Sequence, residues 1–197
     1  MQIAFITNGI SSLGINSRVG IWTLGCLRNC PGCISPEYQF FDKSKEMTVE
    51  EIITKLRTYE FDGVTISGGE PFLWAHELSE LVRRIKEEFT DDILIYSGNT
   101  LKELVNKHDK DINYILKNIA VLVDGPFIQE QADDILLRGS KNQNIIIFNK
   151  KYLEDYKNYL KQEKMMDVVI NGNDVHYIGV PIPGIHDLVM QLDKGDK

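Results

Sequence analysis

Short apolar runs alternate with amphipathic helical stretches through most of this sequence, and that alternation leaves few folds open. The runs Val19–Leu24, Gly63–Ser67, Ile93–Tyr96, Ile119–Val123 and Asn144–Phe148 read as buried strands. Between them, Val49, Ile52, Ile53 and Leu56 fall on one helical face, and Leu78, Leu81, Val82, Ile85 and Phe89 on another. Leu101, Leu104 and Val105, then Ile112, Ile115 and Leu116, repeat the pattern. Thr48 with Glu51 and Thr100 with Glu103 have the spacing of capping boxes, each worth about 1 kcal/mol. About five strand–helix repeats predict a parallel α/β sheet. A closed eight-unit barrel runs to roughly 250 residues. At 197 residues the expectation is an open partial (β/α) barrel of about five or six units.

The flanks complete a single-domain expectation for residues 1–197. Ile3–Ile6 reads as a short strand, and Asn8–Ser17, rich in Gly, Ser and Asn, as a loop. The core is expected over about 15–150. Residues 151–197 form a C-terminal extension: a helix striped by Tyr152, Leu153, Tyr156 and Leu160, then a hairpin of Val168–Ile170 and Val175–Val180 around Asn171-Gly172. Gly195–Lys197 reads as a frayed end.

Composition excludes some classes. With 43% hydrophobic and 26% charged residues the chain reads as an ordinary globular protein. A net charge of −7 argues against a nucleic-acid partner. No apolar run approaches the ~18 residues of a membrane span, and Met-Gln-Ile-Ala-Phe-Ile lacks a charged segment before an apolar one. A cytoplasmic location is the expectation.

All three cysteines, Cys26, Cys30 and Cys33, sit in Gly25–Cys33 with the spacing C-x3-C-x2-C. The preceding strand delivers this loop from its C-terminal end, where α/β folds place chemistry. Cysteine thiolates hold iron–sulfur clusters, and a cubane has four irons. Three thiolates on one loop leave one iron open to a small molecule. Structural zinc wants four closed ligands, and His76, His108, His176 and His186 all lie far along the chain. A disulfide with one spare thiol is the remaining account.

The cysteine spacing followed by Ser67-Gly68-Gly69-Glu70-Pro71 resembles the radical S-adenosylmethionine (SAM) superfamily. Gly32 before the third cysteine is similar to one subgroup, the activating proteins of anaerobic ribonucleotide reductase, which are glycyl-radical activases. The resemblance covers roughly residues 15–150. It implies a [4Fe-4S] cluster on Cys26, Cys30 and Cys33, with SAM chelated at the open iron and cleaved reductively to methionine and a 5′-deoxyadenosyl radical. It further implies a glycyl-radical enzyme as partner, namely the large subunit of anaerobic ribonucleotide reductase, and a low-potential electron donor such as flavodoxin or ferredoxin.

The same resemblance assigns SAM contacts. Ser67, Gly68, Gly69 and Glu70 would present backbone to the methionine amine. Glu70 can equally be a first-turn carboxylate favouring a helix dipole. Ser97-Gly98 would lie near the methionyl and ribose parts, or simply form a turn before Thr100. Asp124, opening Asp124-Gly125-Pro126-Phe127, would aim a carboxylate at the barrel mouth to orient SAM or a cation. Arg138, in Arg138-Gly139-Ser140 before Asn142-Gln143, offers a planar fork of donors or pairs with Asp133 or Asp134. Arg28 and Asn29 read as solvated loop residues, Trp22 and Trp74 as packing, and no histidine acquires a role. No residue is singled out as catalytic.

Three functions fit. The first is an activase acting on a partner's glycine. The second is a small radical SAM enzyme modifying a small molecule or peptide, such as a deazapurine synthase. The third is an iron–sulfur protein without catalysis.

Overall fold

In the computed structural model, which describes residues 1–171 and 174–180, six strands form one sheet in sequence order. They are β1 (Ile3–Ile10), β2 (Arg18–Thr23), β3 (Gly63–Gly68), β4 (Ile93–Tyr96), β5 (Val121–Asp124) and β6 (Asn144–Ile147). The pairs β2–β3, β3–β4 and β4–β5 are parallel. Both edges depart from the parallel expectation: β1 runs antiparallel to β2, and β6 antiparallel to β5. β1 also extends past Ile6 through Asn8-Gly9 to Ile10, its pairing with β2 irregular between Thr7 and Ile10. The architecture is mixed α/β with a mostly parallel sheet.

The central strands are apolar on both faces because both are covered. One face carries α1 (Val49–Leu56), α2 (Ala75–Glu88) and α4 (Lys110–Asn118), whose buried stripes pack on Val64, Ile66, Ile93 and Ile95. Thr48 and Glu51 form the capping box at α1, as do Thr100 and Glu103 at α3 (Leu101–Asn106). Val105 departs from its predicted inward place: it is exposed on the outer side of α3.

The opposite face presents Leu94, Val121 and Val123 to α5 (Leu153–Tyr159), which buries Tyr156 and Tyr159. At the starting ends of the strands, Arg18 is fully buried and pairs with Asp92 at 2.5 Å. Its Nε donates to Thr65 Oγ1 at 2.7 Å, and Tyr156 donates to Asp92 at 2.8 Å. Removing one partner of such a pair costs about 3–5 kcal/mol. The network closes the end of the sheet opposite the cysteine loop.

The predicted hairpin forms as a separate two-stranded sheet of β7 (Asp167–Asn171) and β8 (Asp174–Ile178). Its expected turn at Gly172 and the expected frayed end at Gly195–Lys197 lie outside the described residues. No helix among the described residues is long and apolar enough to cross a membrane.

Candidate functional site

The site begins where β2 ends. Gly25, at φ +90°, turns the chain into the cysteine loop, which folds back on itself. Gly25 N donates to Tyr38 O at 2.9 Å and Cys26 N to Gln39 O at 3.0 Å. The end of β3 is fastened to the same segment, with Gly69 N on Thr23 O and Glu70 N on Gly25 O, both at 2.8 Å.

This fastening explains the two glycines. Gly68 has φ +112°, and a Cβ there would stand 2.2 Å from Thr23 O. A Cβ on Gly69 would stand 2.3 Å from Gly25 O and 2.6 Å from Tyr38 O. The close approach that requires glycine at these positions is therefore made by the chain's own backbone.

Glu70 is 4% exposed. Its carboxylate accepts from Phe72 N at 3.1 Å, Ser97 Oγ at 2.9 Å and Gly98 N at 2.8 Å. Burial pushes the Glu70 carboxyl up, against the lowering effect of those three donors. The side chain ties the end of β3 to the end of β4. Arg28 also departs from its expectation as a solvated side chain. It donates to Asn99 Oδ1 at 3.1 Å and Glu103 Oε2 at 2.9 Å, and its Cδ packs over Gly98.

These elements enclose a cavity of about 420 Å³ at the C-terminal ends of the parallel strands. Cys26, Cys30 and Cys33 line it, as do Ser67, Gly68, Gly69, Glu70, Ser97 and Gly98. Nine of the ten residues singled out from the sequence thus meet around one space. The tenth, Asp124, does not line it. Its buried carboxylate turns toward α3 and β6, accepting from Leu101 N at 2.5 Å, Asn144 N at 3.1 Å and Asn144 Nδ2 at 2.8 Å. Its neighbours Gly125, Pro126 and Phe127 do reach the cavity. Arg138 lies outside as well, paired with Asp133 through Nε at 2.9 Å and Nη2 at 2.5 Å. That is the ion-pair alternative.

The far wall is aromatic. Phe5 is stacked between Trp22 (ring centroids 4.2 Å apart) and His176 of β8 (4.5 Å), and Tyr38 and Tyr96 complete the lining. The Tyr96 hydroxyl is buried with no hydrogen-bond partner among the described residues. Period-2 alternation puts Phe5 and Trp22 on some sheet face, but only the tertiary placement of the hairpin reveals His176.

The cysteines suit a cluster. All three are free and half-buried, and burial, then Cys33 and Cys26, push the Cys30 thiol up. Among the described residues no three His, Cys, Asp or Glu side chains close around one ion. A cluster spreads its thiolates over separate irons, whereas zinc gathers them at one point.

Residues 12–146 match the family model described as 4Fe-4S single cluster domain. Curated relatives named anaerobic ribonucleoside-triphosphate reductase-activating protein are similar over about two thirds of the chain. The one from Haemophilus influenzae is 37% identical over 141 residues, 67% of this chain and 88% of the relative. The Vibrio cholerae protein is 38% identical over 141 residues, with the same coverage. The Escherichia coli K12 protein is 32% identical over 142 residues, covering 66% of this chain and 88% of the relative.

Proposed function

We propose, from the premise that this chain belongs to the 4Fe-4S single-cluster family of anaerobic ribonucleoside-triphosphate reductase-activating proteins, that it is a radical SAM activase generating a glycyl radical on that reductase. The observation that carries this is the convergence of the three cysteines with the Ser67–Glu70 and Ser97-Gly98 strand ends around one cavity. When bound, the cluster and SAM supply the electron and the hydrogen-abstracting radical.

The chain's own residues hold and shape. Cys26, Cys30 and Cys33 would ligate three irons and leave the fourth without a protein ligand. The Gly69 and Glu70 amides are spent on Thr23 and Gly25, and Glu70 O and Ser67 O accept from Leu73 N and Thr23 Oγ1, so the Gly68 and Gly69 carbonyls would be the ones to accept from an ammonium such as SAM's methionyl amine. Glu70 positions Ser97 and Gly98 beside it. Asp124 would act at a distance, by fixing the start of α3. A low-potential donor such as flavodoxin or ferredoxin would reduce the cluster.

The test reconstitutes the protein anaerobically with iron and sulfide, reduces it, and adds SAM and the large subunit of anaerobic ribonucleotide reductase. A glycine-centred doublet in electron paramagnetic resonance is expected, lost when the reductase glycine is changed to alanine. About four irons per chain should bind, and Cys30→Ala should abolish both iron retention and signal. SAM cleavage stimulated by a small molecule or peptide, with no radical on the reductase, would overturn the activase in favour of a small-substrate enzyme.

A further inference from the structure

The family match ends at residue 146, yet β8, beyond it, supplies Val175, His176 and Tyr177 to the cavity. The hairpin is firmly seated. Asp167 accepts from Ser11 N (2.8 Å), Ser11 Oγ (2.9 Å) and Ser12 N (2.8 Å), and Ser12 Oγ donates to Ile178 O at 3.0 Å. His176 stacks on Phe5, and Val169 and Ile178 pack with Ile10, Leu13 and Trp22.

Its other face is apolar and, among the described residues, exposed. Cross-strand register pairs Val168 with Tyr177 and Ile170 with Val175, so all four point the same way, and they are 58%, 43%, 72% and 49% exposed. Leu27, Ile34, Phe40 and Phe41 on the cysteine side of the cavity are exposed too. Eight of the eleven exposed large hydrophobics among the described residues therefore fall on two short segments. The segments meet at the cavity, which Ile34 lines from one side and Val175 and Tyr177 from the other. Clustered exposed apolar surface of this kind marks an interaction site.

We propose that the outward face of the β7–β8 hairpin, continuous with the apolar rim of the cysteine loop, is the docking surface for the glycyl-radical enzyme that receives the radical. The occupant follows from continuity. On the activase reading, on which this inference rests, a protein's glycine must enter this cavity. The polypeptide around that glycine must then lie on the rim. Val168, Ile170, Val175 and Tyr177 carry no charge, which suits an apolar protein surface and not a nucleic acid. A face held in place before the encounter also costs less to order on binding.

The experiment uses the full chain carrying Val168→Asp and Ile170→Asp, residues that do not line the cavity, with Val105→Asp on α3 as the exposed apolar control. Two quantities are read: 5′-deoxyadenosine formed without partner, and glycyl radical formed on the reductase. The double variant should cleave SAM like the wild type, while radical yield at limiting reductase falls about tenfold or more and reductase affinity falls with it. Val105→Asp should change neither. Unchanged radical yield in the double variant, with the wild type active, would overturn the docking surface and leave the activase standing. No radical with the wild type, despite SAM cleavage, would overturn both. Loss of a self-associated dimer in sedimentation, with radical yield intact, would assign the face to a second copy. Loss of reductase binding on truncation after Val180, but not in the double variant, would assign the contact to residues 181–197 and overturn the proposal.

Discussion

The two walls of the cavity are built in different ways. The cysteine wall is backbone against backbone: Thr23, Gly25 and Tyr38 take the amides or occupy the Cβ space of Gly25, Gly68, Gly69 and Glu70. The hairpin wall is held through side chains, a three-ring stack plus one carboxylate that accepts from the Ser11 and Ser12 amides. Backbone hydrogen bonds of 2.8–3.0 Å with no room for a Cβ between them leave little slack, so the cysteine wall should fail as a whole or not at all. The hairpin wall is a separate two-stranded sheet, and elements of that kind can open below the global unfolding free energy.

The largest expected effect tests the rigidity of the first wall. Gly69→Val would force Gly25 and Tyr38 away from the turn, and Gly25 precedes Cys26 directly. Overpacking of this sort costs about 1–3 kcal/mol or more. Iron retention and SAM cleavage should therefore fall together, by about tenfold or more. Normal iron content with selective loss of SAM binding would show that the glycine serves the ligand rather than the loop.

A sharper contrast comes from two carboxylates at strand ends. Glu70→Ala strands Ser97 Oγ, Gly98 N and Phe72 N, and Asp124→Ala strands Leu101 N and the Asn144 groups. Each should lower stability by about 1–3 kcal/mol in thermal unfolding. Only Glu70 borders the cavity, so SAM affinity in equilibrium binding should drop severalfold for Glu70→Ala and stay near wild type for Asp124→Ala. Equal losses of affinity would return Asp124 to the binding set.

Where the sequence carried local signals, the fold was legible. Thr48 with Glu51 and Thr100 with Glu103 begin α1 and α3 where the spacing predicts, and Ile93–Tyr96 is β4 to the residue. The antiparallel β1 was legible in principle: seven residues, 11–17, join it to β2, and a parallel crossover needs a dozen or more. The 19 residues between β5 and β6 could have served either direction, so pairing there depends on tertiary context. In the site, cysteine spacing and glycine turns are backbone signals, and both fall at strand ends, where the spacing puts them. The orientation of Asp124 is not such a signal, because a strand-end carboxylate can face either side of the sheet. The pairing of Arg18 with Asp92, 74 residues apart, and the seat of His176 on Phe5 arise only once distant segments meet.

The smallest expected effect probes the second wall through pH. Burial alone would raise the Asp167 carboxyl, but the hydrogen bonds from Ser12 and Ser11 outweigh it and hold the group below its ordinary value of 3.8. A carboxyl lowered by folding stabilises above its unfolded pKa, and that contribution is lost as pH falls through the folded one. The attachment of β7 to Ser11-Ser12 should thus be intact at neutral pH and weaken below about pH 4. The measurement is hydrogen exchange at the Ser11 and Ser12 amides, compared between wild type and Asp167→Asn. Near neutrality the variant should exchange severalfold faster, because a neutral amide oxygen is a weaker acceptor than a carboxylate. Below pH 4 the ratio should shrink toward one as the wild-type carboxyl protonates. A ratio near one at every pH would mean that the aromatic stack on Phe5 seats the hairpin without its carboxylate anchor.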